Sequence, residues 1–454
     1  MVGPHLIRNA LSAVRRASTA SLVAIAVVAV ACAFTLAYRY VQERRGVGAV
    51  ASPSLPTEVF AEEMPPTGSF TARLDYTCFG VPGSGEVSSD VFWDDAWFFS
   101  DPSSYNHGIA RAASVLSALA YSESEYYKEG SDSPAYMEHA LAGLGFTQVD
   151  SSSYRYRSEV VDEVLDMVTD ESDGVAYTVA TKRIADGEGR ERTLIAVAVR
   201  GSYGSEWLSN FDVAGSTEGA SAEELELRRS QDHAGYKRAA AEVEEAVRAR
   251  LAAAEVNGEE ASVLLCGHSR GGAVAGLVAA MLDDEAARGD RSVSADSVFA
   301  YTFASPRTTM SVENDRARYG NIFNILNPAD PVTRLPLESW GYARYGVDLT
   351  LPSVDDEGFA ERYAAFEGRI GTLTGEGSPY VPETKRTLDT VIEEMSAAVE
   401  TPAELVTPSG AARLAATLVT RIDPLTVLGG HYPSVYIAWM QELDANDLVL
   451  ASAV

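Results

Sequence analysis

The stretch SVLLCGHSRGG, residues 262–272, decides the predicted fold of this chain. Its first five residues form a mostly apolar run that predicts a buried strand, and the Ala- and Gly-rich residues 273–281 predict a helix. Ser269 stands at the turn between them, in the pattern G-x-S-x-G that is typical of a nucleophile elbow. Such a turn exposes the hydroxyl at a helix N-terminus, which favours developing negative charge. The alternative interpretation is an ordinary strand-to-helix turn with an exposed serine.

A nucleophilic serine needs a general base, and the chain offers one histidine after the elbow. Of the six histidines only His431 follows Ser269, as the order serine, acid, histidine of the α/β-hydrolase arrangement requires. It stands in the glycine-rich segment LGGHYP, residues 428–433, before an apolar stretch. A loop histidine suits proton transfer because its unperturbed pKa is about 6.5. The alternative is a turn histidine without a catalytic role.

The acid of the site has several candidates between the serine and the histidine. Asp330 follows the apolar run at residues 322–326, which predicts a buried strand that Asn-Pro then ends. Functional groups of open α/β sheets collect at the carboxyl ends of strands, which favours Asp330. Asp296 precedes a strand and Asp315 lies in a polar helical pattern, so both are less suitable. Asp348, in an alternating segment, is the main competitor.

Six short motifs, taken together in their order and spacing, resemble the class 3 (fungal-type) lipases, a group within the α/β-hydrolases. The resemblance as a whole extends over residues 106 to about 436, which is most of the chain after its N-terminal region. The resemblance implies an α/β-hydrolase fold with a mostly parallel central sheet and helices on both faces, to which this chain adds a helical insert before the histidine. The motifs are IAVAVRGS at 195–202, WLSN at 207–210, HAGY at 233–236, TFASPR at 302–307, NPADPVTRLP at 327–336 and GHY at 430–432.

The resemblance also implies roles for individual residues. Ser269 corresponds to the nucleophile, Asp330 to the orienting acid and His431 to the base. Ser202, which follows Arg-Gly in the first motif, corresponds to an oxyanion-hole residue. The second oxyanion donor is the backbone N–H of Arg270, which does not depend on the side chain although the family usually has an aliphatic residue there.

Two further departures from the family pattern, Glu206 in place of Asp and Asn210 in place of an acidic residue, concern substrate preference. We expect a carboxylic ester hydrolase acting on lipids, a triacylglycerol lipase or esterase that forms an acyl-enzyme. Neither a cofactor nor a metal is expected. The alternatives are a phospholipase or thioesterase on the same fold, or a catalytically silent binding protein.

The distribution of charge excludes one class of partner. The chain of 454 residues has a net charge of −29. Its first 45 residues contain six Arg and one Glu, a charge of +5, so the remainder carries −34. A body this acidic is not expected to bind nucleic acid or to adhere to an anionic bilayer by electrostatics.

Only four lysines occur beside abundant Ala and Arg, which suggests a bacterial source.

The N-terminal region predicts attachment to a membrane. Residues 20–38 are almost wholly apolar and uncharged, about the 20 residues that a span needs, and follow a short basic segment at residues 1–19. We expect an uncleaved signal anchor, with a flexible linker at residues 39–69 and the catalytic domain outside the cytoplasm. The alternative is a signal peptide that is removed to release a secreted protein.

The hydrolase domain is predicted to occupy residues 70–454. Within it, residues 352–427 form an insert with three helical patterns, at residues 359–370, 384–399 and 409–422. An insert at this place could be a mobile lid over the acyl site, or a helical brace on the sheet edge. Helical spacing by itself does not distinguish the two.

Overall fold

The computed structural model describes residues 66–77, 85–127, 135–156, 175–201, 234–289, 294–310, 316–398 and 428–450. The strands are β1 Ser69–Thr77, β2 Glu86–Asp94, β3 Gln148–Asp150, β4 Tyr177–Ala185, β5 Glu191–Val199, β6 Ala261–His268, β7 Val298–Phe303, β8 Ile322–Leu326, β9 Val347–Thr350 and β10 Val449–Leu450. The helices are α1 His107–Tyr127, α2 Tyr136–Gly143, α3 Ala234–Val256, α4 Arg270–Arg288, α5 Arg316–Tyr319, α6 Phe359–Thr374, α7 Thr384–Ala398 and α8 Pro433–Glu442.

The central sheet has eight strands in the order β10-β9-β8-β7-β6-β5-β4-β3. Strands β5 to β9 are parallel, whereas β3, β4 and β10 add antiparallel edges. Strand β6 is the second of the five parallel strands counted from β5, with a parallel partner on each side, and every residue of it after Ala261 is buried. This explains its continuous apolar sequence, since a strand covered on both faces cannot alternate with polar residues.

Side chains on successive residues of a central strand enter the two cores on opposite faces of the sheet. In β7, Phe299 and Tyr301 pack in the core with α1 and α8, whereas Val298 and Ala300 pack in the core with α3 and α4. This two-residue alternation is the geometry of a pleated strand. Helices therefore cover both faces, and the predicted α/β-hydrolase fold is confirmed.

Some elements differ from their sequence predictions. The apolar periodicity of residues 105–121 predicts a helix, and α1 covers this range from His107 and continues to Tyr127. The composition of residues 221–256, rich in Ala, Glu and Arg, predicts one or two helices, and α3 accounts for this range from Ala234 onward. Residues 202–233 lie outside the described part of the chain. The antiparallel edges and the separate hairpin of β1 and β2 were not predicted.

The described helices of the insert pack against the rest of the domain. Helix α6 buries Phe366, which stacks on Trp439 of α8 with ring centroids 4.5 Å apart. Helix α7 buries Val391 and Met395 in a small apolar cluster with Trp340. The third helical pattern, at residues 409–422, lies outside the described residues, and so does the proposed span at residues 20–38. No helix in the described ranges has the length and apolar character of a membrane span.

A buried ion pair joins the β1–β2 hairpin to the sheet. Lys182 of β4 donates to the Asp95 carboxylate at 2.7 Å, and the two side chains are 1% and 0% exposed. Asp95 also accepts from the backbone N–H of Gly68 at 2.7 Å and from the Trp93 indole at 2.9 Å. Burial lowers the pKa of Lys182. Because isolated charges are expensive to bury, each partner depends on the other.

Removing one partner of this pair should destabilise the fold strongly. Lys182→Met leaves Asp95 charged and buried, and we expect a loss of about 3 kcal/mol in the free energy of unfolding, measured by urea denaturation. The matched control is Arg73→Met, which breaks an exposed pair with Asp90 and should cost no more than about 0.5 kcal/mol. Equal losses in the two variants would contradict this assignment.

A second buried carboxylate lies near the end of α1. The Glu123 side chain is fully buried and accepts the Met137 backbone N–H of α2 at 2.8 Å. Its other oxygen has no hydrogen-bond partner among the described residues. Burial raises the pKa of Glu123 to about 7 from 4.5, against the opposing effect of the Met137 hydrogen bond. Between about pH 4.5 and about pH 7 the folded protein therefore keeps a proton on Glu123 that the unfolded chain has already released.

Stability should consequently fall as this carboxyl ionises. Between about pH 5.5 and about pH 8, wild type should lose about 2 kcal/mol of unfolding free energy relative to Glu123→Gln, because only wild type must bury the charge. Urea denaturation at both pH values measures the difference. The control Glu245→Gln, exposed on α3, should run parallel to wild type. A pH-independent difference between wild type and Glu123→Gln would rule out the assignment.

Candidate active site

Ser269 lies at the turn where β6 passes directly into α4. Its backbone has φ 58° and ψ −127°, a conformation that residues other than glycine rarely adopt. The backbone N–H of Ser269 donates to the Phe303 carbonyl at 2.9 Å, at the end of the neighbouring strand β7. The residue is 2% exposed. The strained turn predicted from the sequence is therefore present, with the serine at the carboxyl end of the central strands.

The glycines beside Ser269 are required by close backbone contacts. A Cβ on Gly267 would lie 2.3 Å from the carbonyl oxygen of Gly271, between the end of the strand and the start of the helix. A Cβ on Gly271 would lie 2.2 Å from the carbonyl oxygen of Val199 in β5. Helix α4 can therefore begin at Arg270 only because these two positions carry no side chain.

His431 is within hydrogen-bonding distance of the serine. Its Nε2 lies 3.0 Å from Oγ of Ser269, and its side chain is 12% exposed. The histidine ends a short 3₁₀ turn, Gly429–His431, directly before α8. The carbonyl of Gly430 accepts from Asn327 at 2.8 Å, so a side chain from the end of β8 holds this turn.

Asp330 completes the hydrogen-bonded chain from the other side of the imidazole. Its Oδ2 lies 2.8 Å from Nδ1 of His431 and accepts from the Tyr436 hydroxyl at 2.7 Å. Its Oδ1 accepts the backbone N–H of Val332 at 2.9 Å. The carboxylate is fully buried, so these donors replace the water it has lost. With Nδ1–H donating to Asp330, Nε2 has a free lone pair for the serine proton.

Tyr436 is part of the site although its sequence gave no sign of it. It lies among buried apolar residues of α8, where an aromatic residue predicts only packing. Its hydroxyl donates to Asp330 and accepts the Asn327 backbone N–H at 3.1 Å. Burial, together with the charge of Asp330, raises the pKa of Tyr436 well above its usual value. The phenol therefore stays protonated and remains a donor.

The other described aspartates considered as the acid, Asp348 and Asp296, do not contact His431. Asp348 in β9 accepts from Arg344 at 3.0 Å and from the Asn324 amide at 2.9 Å. Asp296 is exposed, in a 3₁₀ turn before β7 and thus at the opposite end of that strand from Ser269. Asp315 lies outside the described residues. Among the described candidates, Asp330 is the one that pairs with the histidine.

Two buried arginines hold the loop that follows Asp330. Arg307 donates to the carbonyls of Arg334 at 2.6 Å and Pro336 at 3.1 Å. Arg344 donates to the carbonyl of Ser305 at 2.8 Å and also to the carbonyl of Thr333. These hydrogen bonds satisfy backbone groups that a buried loop would otherwise leave unpaired. The position of the carboxylate is thus fixed by the loop as well as by its own donors.

The predicted oxyanion hole is described only in part. Arg270 is the first residue of α4, so its backbone N–H lies at the helix N-terminus directly after Ser269. Gly201 is described and lies beside the elbow, but Ser202 lies outside the described residues. No group of three or more His, Cys, Asp or Glu residues in the described ranges could hold a metal ion.

Comparison with known proteins identifies the family of the central segment. Residues 196–340 match the family model for lipase (class 3). The match spans Ser269 and Asp330 and ends before His431. It confirms the resemblance recognised in the sequence motifs and the expected class of enzyme, a carboxylic ester hydrolase acting on lipids. No curated protein sequence matches the chain.

Solved structures that resemble the chain include several fungal lipases. A Rhizomucor miehei lipase–propeptide complex is 19% identical, with 55% of this chain and 69% of that chain covered and a TM-score of 0.36. A lipase from Rhizopus microsporus var. chinensis is 15% identical, with 67% and 84% covered and a TM-score of 0.31. The mono- and diacylglycerol lipase from Aspergillus oryzae is 22% identical, with 40% and 66% covered and a TM-score of 0.27.

The elbow geometry predicts opposite effects of two alanine substitutions in α4. Gly271→Ala should destabilise the protein by about 1–3 kcal/mol, because the new methyl group collides with the backbone of β5. Gly276→Ala should stabilise it by about 0.5–1 kcal/mol, since its nearest neighbour would be Thr302 Cγ2 at an ordinary 3.8 Å. Urea denaturation of both variants measures this. Equal tolerance at the two positions would argue against the close contact.

Proposed function

We propose that this protein is a class 3 lipase that hydrolyses lipid carboxylic esters through Ser269, His431 and Asp330, with an acyl-enzyme intermediate. The observation that carries the proposal is the continuous hydrogen-bonded chain from the serine hydroxyl through the imidazole to a buried carboxylate, with separations of 3.0 and 2.8 Å. Nucleophile, base and orienting acid require this arrangement, and it occurs at a strained strand-to-helix turn.

In the first half-reaction Oγ of Ser269 attacks the ester carbonyl while Nε2 of His431 accepts the hydroxyl proton. Asp330 remains ionised, holds the imidazole in the tautomer with Nδ1–H, and stabilises the imidazolium that forms. The Tyr436 hydroxyl and the Val332 backbone N–H donate to the buried carboxylate and hold it in position. His431 then returns the proton to the departing alcohol oxygen.

The oxyanion of the tetrahedral intermediate is assigned to two backbone N–H groups, those of Arg270 and Ser202. Each such donor contributes about 3–4 kcal/mol to stabilisation of the transition state in comparable sites. The N-terminus of α4 adds a favourable dipole at the same place. A water molecule, deprotonated by His431, then attacks the acyl-enzyme; the bond between the acyl carbon and Oγ of Ser269 breaks, His431 returns the proton to Oγ, and the carboxylic acid is released.

We also propose that residues 20–38 anchor the enzyme in a membrane as a single span, with the catalytic domain on the extracytoplasmic side. The apolar run and the acidity of the remaining chain support this, since surface charge would not hold the domain at an anionic bilayer. Secretion after signal cleavage is the alternative. Whether residues 352–427 form a lid or a brace also stays a prediction, and the packing of α6 and α7 supports the brace.

The catalytic assignment predicts a large loss of activity from two substitutions and a small one from a third. With chromogenic esters of short, medium and long acyl chains, Ser269→Ala should reduce kcat by about 10⁶-fold. Asp330→Asn should reduce kcat by about 10⁴-fold, because the amide favours the wrong imidazole tautomer. Asp348→Asn, which keeps an acceptor for Asn324, should retain most of the activity. The acyl-chain profile separates esterase from lipase.

Two outcomes would contradict the proposal. If no ester is hydrolysed and a fluorophosphonate does not label Ser269, the chain is a binding protein with a hydrolase fold. If Asp348→Asn is as inactive as Asp330→Asn while both remain folded, the assignment of the acid is wrong. Including phospholipid and thioester substrates tests the phospholipase and thioesterase alternatives with the same variants.

A further inference from the structure

His268, the residue before the proposed nucleophile, contacts the loop of the proposed base. It is the last residue of β6, and its side chain is buried, with 1% of the residue exposed. The centroid of its ring lies 4.8 Å from that of His431 and 5.5 Å from that of Tyr436. His268 occupies a variable position of the pattern G-x-S-x-G, so the pattern does not predict this contact.

The hydrogen bonds of His268 fix which nitrogen carries the proton. Its Nε2 lies 2.7 Å from the backbone carbonyl of His431, which can only accept, so Nε2 must donate. Its Nδ1 lies 3.0 Å from the hydroxyl of Tyr121, which then donates to the ring. The result is a directed chain from Tyr121 through a neutral imidazole to the main chain of His431.

The surroundings of His268 favour this neutral form. Burial lowers the pKa of His268 well below its usual value, and the neighbouring His431 acts in the same direction. Tyr121, Tyr436 and His431 are the titratable groups in contact with its ring. A neutral His268 adds no positive charge beside His431, which itself becomes an imidazolium during the proposed reaction.

Tyr121 is placed where three parts of the site meet. It lies in α1 and is 2% exposed. A Cβ on Gly201 would lie 1.9 Å from the Tyr121 hydroxyl oxygen and 2.5 Å from the carbonyl oxygen of His268. The hydroxyl therefore touches the backbone just before the predicted oxyanion residue Ser202, as well as the ring of His268.

The turn that carries His431 has two glycines before the histidine, so its own sequence does little to fix its conformation. Two hydrogen bonds from other parts of the chain hold its carbonyls. Asn327 binds the carbonyl of Gly430 at 2.8 Å, and His268 binds the carbonyl of His431 at 2.7 Å. The second bond acts on the histidine itself and so directly affects the alignment of Nε2 with Ser269.

We propose that Tyr121 and His268 form a positioning pair that holds the main chain of His431 so that its imidazole stays aligned with Ser269. This inference rests on the proposed function, in which His431 is the base. The pair touches neither the substrate nor the transferred proton. It acts through geometry, and a misalignment of about 1 Å in such a site can cost about 100-fold in rate.

The kinetic test compares variants that keep or remove the donor. His268→Phe keeps a ring but loses the N–H, and kcat should fall about 10- to 100-fold with KM changed less than about 3-fold. His268→Gln places an amide N–H near the position of Nε2 and should recover at least half of the lost activity on a logarithmic scale. Tyr121→Phe should lower kcat by a smaller factor, about 3- to 10-fold.

The double variant His268→Phe/Tyr121→Phe distinguishes a pair from two separate effects. If Tyr121 acts through His268, the double variant should be no slower than His268→Phe alone. Multiplicative losses would show that the two residues act independently and would overturn the pair. Wild-type kcat in His268→Phe, with the fold retained by circular dichroism, would overturn the positioning role.

A measurement on the full chain that does not depend on turnover separates this inference from the proposed function. In ¹⁵N-histidine NMR at about pH 7, His268 should be the neutral Nε2–H tautomer, and His431 should show a protected Nδ1–H. The His431 signal should be lost in His268→Phe and restored in His268→Gln. An Nδ1–H tautomer at His268, or an unchanged His431 signal in His268→Phe, would overturn the pair. Absent fluorophosphonate labelling with these signals intact would overturn only the proposed function.

Discussion

Strand β6 runs into helix α4 without an intervening loop, and the backbone strain of this reversal is at Ser269, whose φ is 58°. The reversal is possible only because the strand end, the helix start and the end of β5 approach with glycines at the contacts. In return, one side chain projects at a helix N-terminus and at the carboxyl end of a buried sheet. The other functional groups are arranged around this fixed point rather than around a flexible loop.

The groups around Ser269 come from segments that are distant in sequence and meet at the same edge of the sheet. Asp330 follows β8, and His431 lies a further 101 residues along the chain. Asn327 connects them, since it binds the histidine turn through its amide and Tyr436 through its backbone N–H. Both oxygens of the buried Asp330 carboxylate accept hydrogen bonds. A buried polar group in a low-dielectric site requires such partners. The geometry is therefore determined by the polar network together with the packing of α8.

The sequence predicted the fold, the strands that carry the site, and the residues of the proposed triad, because chain order and apolar periodicity report on them directly. Asp348 remained a competitor of Asp330 because both lie near predicted strands. Only the position of Asp330 at the carboxyl end of a strand and the family resemblance favoured it. The structure distinguishes the two, because Asp348 binds Arg344 and Asn324, whereas Asp330 binds His431. Tyr436 could not be predicted as part of the site because a buried helix residue gives the same pattern whether its hydroxyl is bonded to a carboxylate or not.

The insert between the acid and the histidine also has a physical connection to the site. Its helix α7 contacts the loop after Asp330 through an ion pair between Arg334 and Asp389 at 2.8 Å. A Cβ on Gly429 would lie 2.0 Å from the carbonyl oxygen of Pro379, so the insert also touches the turn that carries the histidine. A segment in contact with both loops cannot move freely without disturbing the hydrogen bonds between them. These contacts favour the brace interpretation of α6 and α7 over a mobile lid.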